Sequence, residues 1–208
     1  MSLATRGPYK NGIKTRRDIL DAASRVFGQY GYAGGSLKQI ADQVGVTPAA
    51  LLTHFGSKEN LLIAVLERWS AETLDVVPSR PSGLGFFTRL LGVMEFHTKH
   101  RGFIELFLTI ATESSDPNHP ARAFMTRRYD ELIEQSIREL AFARDSGEVR
   151  EFSDQELEFE VRCLYATMDG IEIQWLLDPS VDLVGTFAYF LATTVRRWGG
   201  NRTHTISG

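Results

Sequence analysis

Apolar positions recur at helical spacing through most of the chain, and no segment alternates with the period of two that a half-buried strand shows. Ile19, Leu20, Ala23, Val26, Phe27 and Tyr30 form the first stripe, which predicts a helix from Lys14 that Gly31 ends. Ser36 with Gln39 three residues on has the form of a capping box, opening a short helix from Leu37 to about Val44 that Gly45 closes. Thr47-Pro48 supplies an N-cap and a first helical residue that needs no N–H acceptor, so a second short helix runs from Pro48 to about Phe55. Two short helices around a Gly-containing turn make a helix-turn-helix. Ser57 caps a longer helix carrying Leu61, Leu62, Val65, Leu66 and Trp69. Breakers at 77–85, 114–120 and 145–147 then separate helical stretches over 86–100, 103–112, 121–143, 154–177 and 181–198. The expected chain is all-α with about nine helices. It divides into a disordered arm (1–12), a three-helix head (13–59), a larger helical body (60–198) and a flexible tail (199–208).

Charge changes the picture more than composition does. The net charge is −3, but the first 60 residues carry +4 (eight basic, four acidic) and the remainder −7 (15 basic, 22 acidic). A basic head on an acidic body gives a phosphate-binding surface without making the whole protein adhere to polyanions. No apolar run reaches the 18 or so residues of a membrane span, and the N-terminus has no signal-peptide core. One cysteine, Cys163, excludes an intrachain disulfide and a multi-cysteine zinc site. A cytoplasmic protein without a cofactor fits these features.

A helix-turn-helix lays its second helix in the major groove of double-stranded DNA. Leu51 and Phe55, four residues apart, face the core with Ile40, Ala41 and Val44, leaving Thr47, Ala49, Ala50, Thr53 and His54 as the outward face. Thr53 suits a phosphate or a base, and the alanine methyls suit a thymine methyl. Lys58 at the next helix's start, Arg16 and Arg17 on the first helix and Lys38 on the positioning helix are candidates for backbone phosphates.

Gly31-Tyr32, Ser36-Leu37, Ile40-Ala41, Val44-Gly45-Val46, Leu51, His54-Phe55 and Ser57-Lys58-Glu59-Asn60-Leu61, in this order and spacing, resemble the tetracycline-repressor (TetR) family over residues 14–66. Beyond them the run of helices matches, and residues 168–179 resemble the regulatory domains of some members. The resemblance implies a DNA-binding head on a helical domain that dimerises and binds a small effector, and not an enzyme. It places DNA contacts on Lys38, Thr47, Ala49, Thr53, His54 and Lys58. Two positions depart: Leu52 stands where members usually carry a tyrosine that meets the DNA backbone, and Gly35 where threonine is common.

The stretch 154–177 has two apolar stripes. Leu157, Val161, Leu164, Tyr165, Met168, Ile171 and Trp175 form one. Phe159, Cys163, Ala166, Gly170, Ile173 and Leu177 form the other, at heptad steps with small residues that admit a close partner helix. Such a helix is either wholly buried or shared with another chain. The resemblance adds a homodimer through this face, with recognition helices about 34–36 Å apart on a palindromic operator. For an effector, the aromatics Phe86, Phe87, Phe96, Phe103, Phe107, Phe124 and Tyr129 are at a spacing that more often serves a core than a pocket, so polar neighbours are more informative. His97, Glu105, Thr109, Asp169 and Glu172, with Tyr129, are the candidates for holding a small, largely apolar molecule. By resemblance, its binding would release DNA.

Other classes fare worse. A carboxylate metalloenzyme in a helical bundle needs Glu-x-x-His pairs, and none occurs. Phosphate-cradling loops and a Gly-x-Ser-x-Gly elbow are also missing. Two alternatives remain open: an activator or effector-independent regulator that keeps the DNA binding, and a helical interaction module whose head docks a protein, though the latter leaves the charge asymmetry unexplained.

Overall fold

A computed structural model describes residues 8–75 and 82–199, without the side chains of 8–14, 74 and 75. Among the described residues every regular element is helical. The order is α1 (Pro8–Gly34), α2 (Leu37–Val44), α3 (Pro48–Phe55), α4 (Lys58–Asp75), α5 (Leu84–Thr88), α6 (Leu90–Lys99), α7 (Arg101–Glu113), α8 (Arg122–Asp145), α9 (Asp154–Leu177) and α10 (Leu183–Gly199). Several boundaries differ from the sequence pattern. The expected helix 86–100 begins at Leu84 and is interrupted at Arg89, giving α5 and α6. Helix α1 starts at Pro8, inside the segment read as an arm, while residues 1–7 and the tail from 200 lie outside the described residues.

Packing divides the chain into two compact units with interleaved segments. One holds residues up to Glu72 together with His100–Met125; the other holds Thr73–Lys99 and everything from Thr126. The head is therefore part of a larger body that also contains α7. In this first unit Ile19, Leu20, Ala23, Val26 and Phe27 of α1 are buried with Ile40, Ala41, Leu51, Phe55, Leu61, Leu62, Leu66, Ile104, Leu106 and Ile110. Tyr30, which continues the α1 stripe in sequence, is exposed.

Helix α7 lies so close to α1 that a Cβ on Gly28 would sit 3.1 Å from the Gly102 carbonyl oxygen and 3.3 Å from the Leu106 nitrogen. Three residues on, Gly31 kinks α1 at φ 67 and ψ 179 instead of ending it, a conformation that a side chain would strain. A Cβ there would also collide with the Glu113 carboxylate.

The second unit packs α10 against α6 and α9, around Phe86, Phe87, Leu90, Met94, Leu140, Val161, Leu164, Phe187, Leu191 and Trp198. Phe87 meets Trp198 edge-on at 4.9 Å, and the Trp198 indole N–H donates to Glu160 Oε2 at 3.0 Å. No described helix is long and apolar enough to cross a membrane.

Candidate nucleic-acid interface and polar core

The α2–α3 turn is held by the local chemistry that the sequence prescribes. Ser36 Oγ accepts the Gln39 N–H at 3.2 Å while Gln39 Oε1 accepts the Ser36 N–H at 2.8 Å, and Gly45 closes α2 in the left-handed conformation. Thr47 Oγ1 then accepts the Ala50 N–H at 3.2 Å, starting α3 at Pro48. Leu51 and Phe55 are buried, so α3 turns Thr47, Pro48, Ala49, Leu52, Thr53 and His54 to solvent, with Ala50 half-buried at the margin. The Thr53 hydroxyl donates to the Ala49 carbonyl at 3.0 Å, which leaves its lone pairs, rather than its proton, for an incoming partner.

The basic candidates surround this face in contacts that solvent screens. Lys38 pairs with Asp42 at 2.7 Å, both largely exposed, a pair too weak to hold the ammonium from a phosphate. The Arg16 guanidinium lies 5.1 Å from the Phe55 ring centre, and Arg17 is exposed. Lys58 Nζ sits 4.4 Å over the ring of Tyr32.

Tyr32 is a junction that periodicity does not reveal. Its hydroxyl donates to Glu59 Oε1 at 2.7 Å, and its N–H donates to Glu113 Oε2 at 2.9 Å. Burial, reinforced by Glu59, pushes the phenol well above its ordinary range. His119 meets the Tyr32 ring edge-on at 5.3 Å. Its Nδ1 accepts the Ala121 N–H at 3.2 Å, so the ring proton sits on Nε2, 3.5 Å from Glu113 Oε2. These contacts tie the start of α4, with Lys58, to the α1 kink and the end of α7. The partners are separated by up to 81 residues, which no local pattern signals.

Within the second unit, polar groups gather where packing alone would place apolar ones. Glu172 is 2% exposed and accepts from His97 Nδ1 at 2.6 Å. The Tyr129 hydroxyl donates to Asp169 Oδ2 at 2.8 Å. Burial, with the neighbouring Glu172, pushes Asp169 up to about 6 against the pull of Tyr129 and His97; Tyr129 rises as well, from burial and the Asp169 charge. Ser136 donates to the Leu132 carbonyl at 2.8 Å, so Tyr165 must donate in the 2.8 Å contact between the two hydroxyls. Arg128 is half-buried with no hydrogen bond or ion pair among the described residues, and burial lowers its pKa.

His97, Tyr129, Asp169 and Glu172 are thus brought together. Glu105, exposed, and Thr109, half-buried, lie on α7 in the other unit. The sequence pattern did not single out Arg128 or Ser136, and marked Tyr165 only as part of an apolar stripe. Arg128 and Ser136, eight residues apart, share a face of α8, but only packing against α9 distinguishes that face from the solvated one. Among the described residues no group of three or more His, Cys, Asp or Glu side chains is placed to hold a metal.

On α9 the two stripes separate. Leu157, Val161, Leu164, Tyr165, Met168, Ile171 and Trp175 are buried, whereas Phe159 (56%), Ile173 (47%) and Leu177 (81%) are exposed with Cys163 and Ala166, and Gly170 is half-buried. Tyr189 of α10 is also exposed.

Residues 19–65 match the family model described as bacterial regulatory proteins, tetR family. Along most of its length the chain is similar to the HTH-type transcriptional repressor AcnR of Corynebacterium efficiens: 23% identical over 186 residues, covering 89% of this chain and 94% of the relative. Its fold is similar to that of a transcriptional regulator from Saccharomonospora viridis in complex with choline, with TM-score 0.72, 24% identity and coverage of 88% and 96%. A transcriptional regulator from Bacillus subtilis, FadR in complex with stearoyl-CoA, gives TM-score 0.72 at 18% identity, covering 87% of this chain and 98% of that one.

Proposed function

We propose that this chain is a DNA-binding transcriptional regulator of the TetR family and not an enzyme: a cytoplasmic homodimeric repressor released from a palindromic operator by a small, largely apolar effector. The observation that carries the effector reading is the polar cluster of His97, Tyr129, Asp169 and Glu172 in the second unit. A helical body needed only to join two heads would bury hydrocarbon there, because buried polar groups cost free energy unless every partner is supplied. A few convergent polar groups among aromatics are what orient a small ligand. Choline and stearoyl-CoA in the two structural neighbours, and the repressor activity named for AcnR, support the same reading.

The homodimer reading rests on the stripe of exposed Phe159, Cys163, Ala166, Ile173 and Leu177 with half-buried Gly170, and on exposed Tyr189 of α10. A heptad-spaced apolar face suits the same face of a second copy. Two-fold symmetry then sets two α3 helices on successive major grooves, with half-sites about 34–36 Å apart. In each head, Thr47, Ala49, Ala50, Thr53 and His54 meet base edges and the adjoining backbone. Arg16, Arg17, Lys38 and Lys58 neutralise phosphates, and effector binding favours a state in which the heads no longer match the operator spacing.

The test is selection of the purified protein on a randomised DNA pool, with a salt titration of the selected sequence. A palindromic consensus with half-sites one helical turn apart, bound with a steep salt dependence, is the expected result. Failure to enrich any sequence at low salt would favour a head that docks protein, and would overturn the reading.

A further inference from the structure

What α3 lacks limits how it can read sequence. From Thr47 to Phe55 there is no Arg, Lys, Asn or Gln, the side chains that make paired hydrogen bonds to guanine and adenine edges in the major groove. Of the polar groups present, Thr47 is engaged in the cap and Thr53 has given its proton to the Ala49 carbonyl. His54 and the Thr47 hydroxyl proton, at the first turn, remain as side-chain donors. The rest of the exposed surface is apolar: Pro48 and Ala49, with Leu52 at 42% exposure. Leu52 follows Pro48 by four residues and Ala49 by three, the spacings that set side chains beside one another on a helix. Leu51 and Phe55 already fill the core-facing positions. Leu52 is therefore not a core residue left partly uncovered; it belongs to the face that approaches DNA.

We propose that Leu52, with Ala49, reads the 5-methyl group of a thymine in each half-site and so determines sequence preference. The proposal rests on α3 being the helix that enters the major groove. Thymine's methyl is the one apolar group on the major-groove edges of the four bases. Enclosed between the Leu52 methyls and the Ala49 Cβ, it leaves water; a cytosine there brings an amino group with no acceptor. This arrangement divides the work on the DNA. Lys38, Lys58, Arg16 and Arg17 supply salt-dependent affinity that is blind to sequence. Leu52, Ala49 and His54 supply discrimination.

The experiment is fluorescence anisotropy on the operator obtained by selection, synthesised with deoxyuridine in place of thymidine at one symmetry-related pair at a time. The wild type loses about fourfold in affinity per half-site at one such pair, the value of one buried methyl. Leu52→Ala, whose fold is checked by thermal unfolding, binds the selected operator more weakly and shows no further loss at that pair. A wild type indifferent to every deoxyuridine, or a Leu52→Ala protein that keeps the full penalty at the same pair, overturns the proposal. Two control variants separate this from failure of the functional reading. If His54→Ala changes sequence preference or Lys58→Ala lowers the salt dependence while methyl dependence is missing, only the Leu52 assignment falls. If neither control nor Leu52→Ala alters binding, or no operator can be selected, α3 is not the reading helix and both fall together.

Discussion

Replacing Asp169 by Asn should make the protein more stable at neutral pH. Asp169 of α9 sits beside Glu172 of the same helix, His97 of α6 and the Tyr129 hydroxyl of α8. Burial and Glu172 hold its pKa at about 6 instead of the ordinary 3.8. An acid whose pKa is higher in the folded state binds its proton more tightly there. Its contribution is therefore favourable at low pH and lost as the pH climbs from about 3.8 to about 6 and beyond. Two pKa units correspond to about 3 kcal/mol, the cost of keeping the carboxylate ionised in the fold above pH 7. Asn abolishes that charge and still accepts the Tyr129 hydrogen bond, but its amide protons need acceptors of their own. A net gain of about 1–3 kcal/mol at pH 8 is expected, a rise in Tm of about 2–12 °C for a chain of this size. The gain should shrink by about 2 kcal/mol between pH 8 and pH 4.5, because the wild-type carboxyl then takes up its proton. Thermal unfolding of both proteins across that range measures it. An Asp169→Asn protein no more stable than wild type at pH 8, or one whose advantage is the same at both pH values, would refute the assignment of a strained carboxylate.

Two further substitutions test the packing. Gly28→Val drives side-chain atoms into the backbone of Gly102 and Leu106, which cannot turn aside; a loss of about 2–3 kcal/mol is expected from chemical unfolding, and wild-type stability would mean that α1 and α7 are not in close contact. Phe159→Asp combined with Leu177→Asp changes only exposed side chains. Unfolding should move little, while sedimentation shifts from dimer to monomer and operator affinity falls by more than tenfold; an undisturbed dimer would place the interface elsewhere.

The helices of the head were legible because each is specified within four or five residues. The Ser36–Gln39 box, the Thr47-Pro48 start and the left-handed Gly45 are local hydrogen-bonding and φ/ψ preferences that act before any tertiary contact forms. The same held for α9, whose two stripes could be read by counting. Which stripe was buried could not, since periodicity fixes that a face is apolar and leaves open what covers it; only the packed second unit separated Leu157 and Val161 from Phe159 and Leu177. Long-range partners were beyond reach for the same reason. Tyr32 finds Glu113 across 81 residues and His97 finds Glu172 across 75. Both pairings depend on helix contacts whose geometry a one-dimensional pattern does not encode. Gly31 marks the limit from the other side. In sequence it is a helix stop, but α7 brings the Glu113 carboxylate to a position that a side chain would block, and the chain continues through a kink that lines up Tyr32 with the start of α4. Local chemistry determined where the helices begin and what α3 presents; tertiary packing decided which polar groups are buried together, because burial is a property of the neighbours and not of the residue.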